Sequence, residues 1–285
     1  MKREYQDAIA EIRQSTYLVV TAGTGMCVDS NIGDIFSTTF WATHDPLVMR
    51  GLKFEHCANL KNFNDDPGFS WGFYSHLYRL YTRGLPHAGY GILKQWAQAA
   101  KYGYFAFTSN VDGHFQKSGF PDDRVIECHG SMMNMQCLQN CTEDIWPLDS
   151  LDLTMDPATW VAEPPLPACR NCGGLARPNL MMFRDWGWLD FRTDAKEKAF
   201  RRELAQAKRN EDFRLCVVEV GAGIRIPTVR DFSEGLLQQF HQAKLIRINP
   251  TVVPEDNNNP RIISIHDGAL KVLEDLAAAA EQVRS

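Results

Sequence analysis

Short, unbroken apolar runs alternate along this chain with longer stretches in which apolar side chains return every three or four positions. The runs at 17–20, 104–107, 125–126, 215–220, 245–248 and 262–265 have the length of buried strands. Helical periodicity covers 3–15, with Ile9 and Ile12 on one face, and 71–83, where Phe73, Leu77, Leu80 and Tyr81 share a face. It returns over 88–101 after Pro86, over 194–209 with Phe200 and Leu204 as the apolar side, and over 233–242 and 268–284. A further short strand is expected at 180–183, a turn at 62–68, and a mixed region over 42–70. Strand and helix taking turns predicts an α/β fold: a parallel sheet covered by helices on both faces.

Composition narrows the class without changing this picture. The 285 residues are 44% hydrophobic and 23% charged, the balance of an ordinary globular chain. The net charge of -5 gives no basic footprint, so direct nucleic-acid binding is not expected. No apolar run approaches the roughly 18 residues of a membrane span, and the charged N-terminal stretch does not read as a signal peptide. A cytoplasmic location is expected, with the nucleus as the other reducing option.

Candidate chemistry sits where the strand runs end. The run at 104–107 breaks into Thr108-Ser109-Asn110, followed by Asp112-Gly113, and the run at 125–126 leads into Glu127-Cys128-His129-Gly130. Ligands of open α/β sheets lie beyond the carboxyl ends of strands, so an amide, a carboxylate and an imidazole delivered there suit a polar ligand and proton transfer. Asn-x-Asp-Gly is also an ordinary turn composition, and a single His is more often structural than catalytic. After the first run, Thr21-Ala22-Gly23-Thr24-Gly25 supplies small residues that let backbone approach a phosphate.

Eight cysteines are present, and four of them form two close pairs, Cys137 with Cys141 and Cys169 with Cys172. Two such pairs present four thiolates, the ligand set of a closed, structural zinc site. Zinc there would tie down residues 142–168, a proline-rich stretch with six acidic side chains and no Lys or Arg. Cys128 lies between candidate site residues but has no activating neighbour, and it is read as a buried structural thiol.

Taken in order, these pieces resemble the sirtuins, NAD-dependent protein lysine deacylases. Thr21-Ala22-Gly23 stands where that family has Gly-Ala-Gly, and Ser30-Asn31-Ile32-Gly33-Asp34 is similar to its Ser-Gly-Ile-Pro-Asp. Thr108-Ser109-Asn110-Val111-Asp112-Gly113 resembles Thr-Gln-Asn-Ile-Asp-Gly, and Glu127-Cys128-His129-Gly130-Ser131 resembles Glu-Leu-His-Gly-Ser. The four cysteines fall where the family's structural zinc ligands fall. Arg177 to Phe183 resembles Arg-Pro-Asp-Val-Val-x-Phe; Gly221-Ala222-Gly223 replaces Gly-Thr-Ser; Ile248-Asn249 and Asp267-Gly268-Ala269 match the later segments.

The resemblance implies a Rossmann-like NAD domain over 1–41, 86–131 and 176–285, interrupted by a small domain made of a helical module (42–85) and a zinc-binding module (132–175). It implies an acylated protein or peptide as substrate and NAD as cosubstrate, entering a cleft between the domains. His129 would act as base, with Asn110 and Asp112 holding the ribose and nicotinamide end. Ala22, Gly23, Asp34, Asn110, Asp112, Gly221, Ala222, Gly223, Asn249, Gly268 and Ala269 would contact the cofactor. The products would be free lysine, nicotinamide and an acyl-ADP-ribose ester. The alternative is NAD hydrolysis or ADP-ribosyl transfer on the same fold.

Three departures from the family pattern stand out. Asp34-Ile35-Phe36 replaces Asp-Phe-Arg, removing a cation from the cofactor region. Phe183-Arg184-Asp185 replaces Phe-Gly-Glu, so Arg184 is a candidate for favouring an acidic acyl group. Gly221-Ala222-Gly223 lacks two hydroxyls, which Arg225 could compensate.

Overall fold

The computed structural model describes residues 2–30, 32 and 51–282; Asp34 and Phe36 lie outside the described residues. In chain order the elements are α1 (Arg3–Gln14), β1 (Tyr17–Ala22), α2 (Phe54–Cys57), α3 (Leu60–Asp65), α4 (Pro67–Arg83) and α5 (Ala88–Ala99). Then come β2 (Tyr104–Thr108), α6 (His114–Lys117), β3 (Val125–Glu127), β4 (Gly130–Cys137), β5 (Trp146–Pro147) and β6 (Ala176–Leu180). The chain ends with α7 (Phe191–Ala207), β7 (Leu215–Val220), α8 (Thr228–Gln239), β8 (Lys244–Ile248), β9 (Ile262–Ile265) and α9 (Ala269–Gln282).

Six of the strands form one sheet in the order β3-β2-β1-β7-β8-β9, and every neighbouring pair is parallel. β1 and β7 are buried at every position, as the continuous apolar runs require of strands covered on both faces. Alternation along each strand divides the core into two layers. Leu18, Val20 and Val218 face Ile9 of α1, Leu93 of α5 and Leu273 of α9. Tyr17, Val19 and Val217 face Phe200 and Leu204 of α7 and Leu236 of α8. After β1 the chain fills the β2-β3 side and then returns to β7 on the other side. The order therefore reverses between β1 and β7, which opens a crevice beyond their carboxyl ends.

A smaller body is built on a three-stranded antiparallel sheet, β5-β4-β6, and on α2 to α4. One apolar core serves both parts: Phe63, Trp71, Phe73 and Leu77 from the helices meet Met132, Met135 and Met182. The Trp71 indole nitrogen donates to the Ala176 carbonyl at 3.1 Å, joining helix to sheet. The segments 86–131 and 176–285, expected in the large domain, contribute the start of β4 and all of β6 to this sheet.

Local chemistry corrects several expected boundaries. The strand expected at 180–183 lies earlier, as β6. Its polar residues are buried and paired: Arg177 pairs with Asp185 at 2.7 Å through one guanidinium nitrogen, and the Asn179 amide donates to Gln136 Oε1 at 2.9 Å and to the Leu189 carbonyl at 2.8 Å. The turn expected at 62–68 shrinks to one hinge, because α3 runs through Asp65. There Asp66 caps α4, its carboxylate accepting from Phe69 N at 3.0 Å, and Pro67 takes the first helical position. α7 and α8 begin at Phe191 and Thr228, three and five residues before the expected starts.

Candidate active site

The register of β2 and β3 brings the strand-end residues together. Thr108 pairs with Glu127, and Cys128 N donates to the Thr108 carbonyl at 2.9 Å, so the two chains stay in step past the last pair. Asn110 and His129 each lie two residues beyond that pair, on strands about 4.8 Å apart. The β2 end is also tied to β1: Ser109 N and Thr108 Oγ1 both donate to the Ala22 carbonyl, at 3.1 and 2.9 Å.

Asn110 is 5% exposed, and among the described residues neither atom of its side-chain amide makes a hydrogen bond of ordinary geometry; the buried Tyr90 hydroxyl is the polar group beside it. Asp112 is buried and accepts from His114 N at 2.9 Å; burial raises its pKa, and the neighbouring His114 opposes that shift. His129 is partly buried. Burial lowers its pKa and favours neutral imidazole, while the Ser109 backbone facing the ring acts in the opposite direction. The next residue, Gly130, has φ +79°, and a Cβ there would lie 2.1 Å from the Asn179 carbonyl oxygen. Only glycine lets the His129 turn press this closely against β6, where Met181 N donates to the His129 carbonyl at 3.0 Å. From the other side, α7 holds the end of β3. Arg192 donates to the Glu127 carboxylate at 2.5 Å and Thr193 Oγ1 to the Glu127 carbonyl at 2.9 Å. Sequence reasoning missed both contacts, which join residues more than sixty positions apart.

Asn110, Asp112 and His129 line a cavity of about 320 Å³, with Thr24 and Ser109. The same cavity is lined by the apolar and aromatic side chains of Phe54, Ala58, Tyr74, Leu77, Met182 and Phe183. A second cavity, of about 380 Å³, is lined by Gly221, Ala222, Gly223, Asn249, Gly268 and Ala269, and Thr24 borders both. This second cavity lies at the β1/β7 switch point. Gly221 adopts φ +62°, and a Cβ on it would come within 2.4 Å of the Gly25 carbonyl carbon; Gly25 N donates to the Gly221 carbonyl at 3.0 Å. Two bare backbones thus interlock and form a floor with no side chains between them. The Ala222 carbonyl accepts from Asn249 Nδ2 at 2.7 Å and from Arg230 Nε at 3.2 Å, so Asn249 shapes the floor. Ala22 and Gly23 lie behind the lining: Ala22 is fully buried at the end of β1, and Gly23 N donates to the Val220 carbonyl at 3.0 Å.

The four sulfurs of Cys137, Cys141, Cys169 and Cys172 lie within 4.8 Å of one another, with 3.8 Å between Cys137 and Cys172 and 3.6 Å between Cys141 and Cys169. Tetrahedral zinc with Zn–S bonds of about 2.3 Å sets its sulfurs about 3.8 Å apart, so the cluster fits the ion. Four thiolates close the coordination shell and leave no position for a substrate, which makes the site structural. Cys128 is outside the cluster; it is buried, and burial raises its thiol pKa, as expected of an inert cysteine.

Two expected charges do not reach the cavities. Arg184 is exposed, has φ +56°, and is absent from the described lining of the first cavity, so it does not carry charge toward an acyl group there. Its neighbour Asp185 organises the loop instead: its carboxylate accepts from Arg177, from Met182 N at 3.2 Å and from Gly187 N at 3.0 Å. Arg225 pairs with Glu55 of α2 rather than with the floor of the second cavity.

Comparison with known proteins follows the same lines. Residues 23–200 match the profile of the Sir2 family. The NAD-dependent protein deacetylase of Oceanobacillus iheyensis is 24% identical over 255 residues, covering 89% of this chain and 92% of that protein. The NAD-dependent protein deacylase 2 of Pseudomonas syringae pv. tomato is 26% identical over 186 residues, covering 62% of this chain and 66% of that protein. Among solved structures, a mutant Sir2 homologue in complex with 2'-O-acetyl ADP ribose superposes with a TM-score of 0.69 at 23% identity, over 100% of this chain and 98% of that one.

Proposed function

The chain belongs to the Sir2 family, and from that premise we propose that it is an NAD-dependent protein lysine deacylase. NAD, when bound, supplies the ADP-ribose that receives the acyl group and the nicotinamide that leaves. The observation that carries the reading is one cavity lined both by Asn110, Asp112 and His129 and by apolar side chains suited to an acyl-lysine, with Thr24 shared between it and a glycine-lined cleft.

In this reading the cleft floor at Gly221, Ala222 and Gly223 receives the diphosphate, because backbone there is free of side chains and sits at the sheet's switch point. Gly268 and Ala269, at the start of α9, complete the cofactor-binding set with Asn249. The Asn110 amide has a free donor and a free acceptor in a place shielded from water, and both are assigned to the ribose and nicotinamide end. His129 takes a proton from a ribose hydroxyl. Burial keeps its ring neutral and so able to accept that proton near neutral pH. Asp112 holds the turn through His114 N and lines the same cavity. Residues Cys137, Cys141, Cys169 and Cys172 hold the zinc, whose chemistry is confined to bracing the small body. No helix of the described residues is long and apolar enough to cross a membrane. Net acidity and free cysteines favour a cytoplasmic setting and no nucleic-acid partner.

The test is nicotinamide release from NAD, with and without an acyl-lysine peptide. Release that requires the peptide and disappears in His129→Ala is the expected result. Release without peptide would overturn the reading in favour of NAD hydrolysis or ADP-ribosyl transfer.

A further inference from the structure

The peptide bond between Ala222 and Gly223 is trans, so its carbonyl oxygen and the Gly223 N–H point in opposite directions, and whatever holds the one aims the other. We propose that Arg230 is a positioning residue for the cofactor: by donating to the Ala222 carbonyl it keeps the Gly223 N–H directed into the second cavity, toward the diphosphate. This rests on the reading of that cavity as the cofactor cleft.

The geometry around this one bond is asymmetric. The Ala222 carbonyl accepts from Asn249 Nδ2 at 2.7 Å and from Arg230 Nε at 3.2 Å. Arg230 is buried and absent from the described lining of the cavity, so the carbonyl is turned into the protein. Gly223 is on the open side. It is exposed, it lines the cavity, and a Cβ on it would meet nothing within 4 Å. Its N–H donates to no group among the described residues. An N–H without an acceptor, beside bare backbone at the switch point of the sheet, is what an anionic oxygen requires.

This orientation has to be imposed. Gly223 accepts φ of either sign, so the peptide can turn over at small steric cost. Turned over, it would show a carbonyl oxygen to the cavity and repel a diphosphate. Asn249 lines the cavity itself, and its amide can follow a turned peptide. Arg230 donates from behind the lining and favours only the inward carbonyl.

Arg230 is in turn held in place. Its Nη1 lies 3.9 Å from the carboxylate of Asp256, in the short helical turn Pro254–Asn258. Asp256 also pairs with Arg247 of β8, which reaches Glu219 of β7 at 2.5 Å and Glu234 of α8 at 2.9 Å. Glu219 stands two residues before Gly221, so the network tethers the strand that carries the floor to the helix that carries Arg230. Stability alone does not account for Arg230. Its Nη2 is buried without a partner, and buried ion pairs are often no more stable than apolar side chains filling the same space.

The experiment compares Arg230→Gln with Arg230→Met in the full chain. Both remove the charge facing Asp256. Gln places an amide nitrogen as many bonds along the side chain as Arg Nε, whereas Met places a methyl group there. Calorimetry with ADP-ribose reports affinity separately from the folded fraction, which appears as stoichiometry. Arg230→Met is expected to bind ADP-ribose about tenfold more weakly, the effect of one misdirected hydrogen bond to an anion, and to raise KM for NAD with kcat little changed. Arg230→Gln is expected to stay within about threefold of the unchanged protein. Equal weakening in both variants, or unchanged affinity in Arg230→Met, overturns the proposal. A measurement on the unchanged protein stands independently of how the variants fold: ADP-ribose should protect the Gly223 amide from hydrogen exchange, and exchange that ADP-ribose does not slow overturns the proposal. Failure of the unchanged protein to bind ADP-ribose at all overturns the cofactor-cleft reading together with it. Nicotinamide release without peptide overturns the deacylase reading alone and leaves the role of Arg230 to be decided by the binding data.

Discussion

Replacing Asn110 with leucine should make the protein more stable and much less active. The substitution keeps the side chain's size and removes both amide atoms. Those atoms are shielded from solvent and, among the described residues, make no hydrogen bond of ordinary geometry, with the Tyr90 hydroxyl beside them likewise unpaired. An unsatisfied buried polar group costs about 1–3 kcal/mol. Removing two of them is offset in part by setting an apolar group beside the buried Asp112, so a net gain of about 1–2 kcal/mol is expected. For a chain of this size that raises Tm by roughly 2–5 °C. Turnover should fall by about a hundredfold or more, the usual effect of deleting an aimed hydrogen-bonding group from a catalytic site. Asn179 is the control. It is equally buried, but its amide donates to Gln136, which keeps a bond from Leu189 N, and to the Leu189 carbonyl, which is left without a donor, so Asn179→Leu should destabilise by about 1–3 kcal/mol. Thermal denaturation and nicotinamide release on the three proteins decide the matter. If Asn110→Leu melts as early as Asn179→Leu, the amide has a structural job and the argument fails. If it melts later but turns over normally, Asn110 is outside the machinery.

The remaining expectations concern the floor, the metal and the imidazole. Gly221→Ala places a Cβ against the Gly25 backbone, which cannot swing aside; left-handed strain of about 1–2 kcal/mol and overpacking of about 1–3 kcal/mol should lower Tm and weaken ADP-ribose binding by calorimetry, whereas unaltered binding would count against the interlocked floor. Metal analysis should find one zinc per chain, and Cys141→Ser should lose it together with several degrees of Tm; a variant that keeps both would show that the thiolates are not the ligands. The acid limb of kcat/KM should fall below the ordinary imidazole value of about 6.5, because burial lowers the His129 pKa; a limb at or above that value would remove His129 as the base. The linkage has a definite sign: neutral His129 stabilises the fold above the unfolded pKa, and that contribution is lost as pH falls through the lower folded one.

Residues differ in how openly the sequence displays them, and the difference is physical. β1 and β7 were legible because a strand covered on both faces must be apolar throughout. The grouping of Asn110 with His129 followed from the same source, since parallel strands deliver their carboxyl ends to one edge. The four cysteines were legible from spacing alone, and their sulfurs converge. β6 was misplaced because the apolar run lies at 180–183, whereas Arg177 and Asn179 give 176–180 no apolar pattern and become core only through their partners Asp185, Gln136 and Leu189. α7's hold on Glu127 and the apolar wall of the first cavity were hidden for a simpler reason: they join segments far apart in the chain, and no local pattern records which distant segment will arrive.

Arg184 shows how composition and geometry can point in opposite directions. On sequence alone, a cation in place of a glycine beside the acyl site suggests an acidic substrate. The backbone at that position is left-handed, φ +56°, a conformation that favours glycine and strains arginine by about 1–2 kcal/mol. What the loop retains from a glycine is therefore its backbone shape, and the side chain that now occupies it is turned to solvent. The loop keeps that shape because Asp185, the next residue, is anchored by Arg177 and by two backbone N–H groups, and breaking a buried pair of that kind costs about 3–5 kcal/mol. The anchoring outweighs the strain. The charge consequently falls outside the described lining of the first cavity, which Phe54, Leu77 and Phe183 share, residues whose apolar character was plain in the sequence but whose meeting was not.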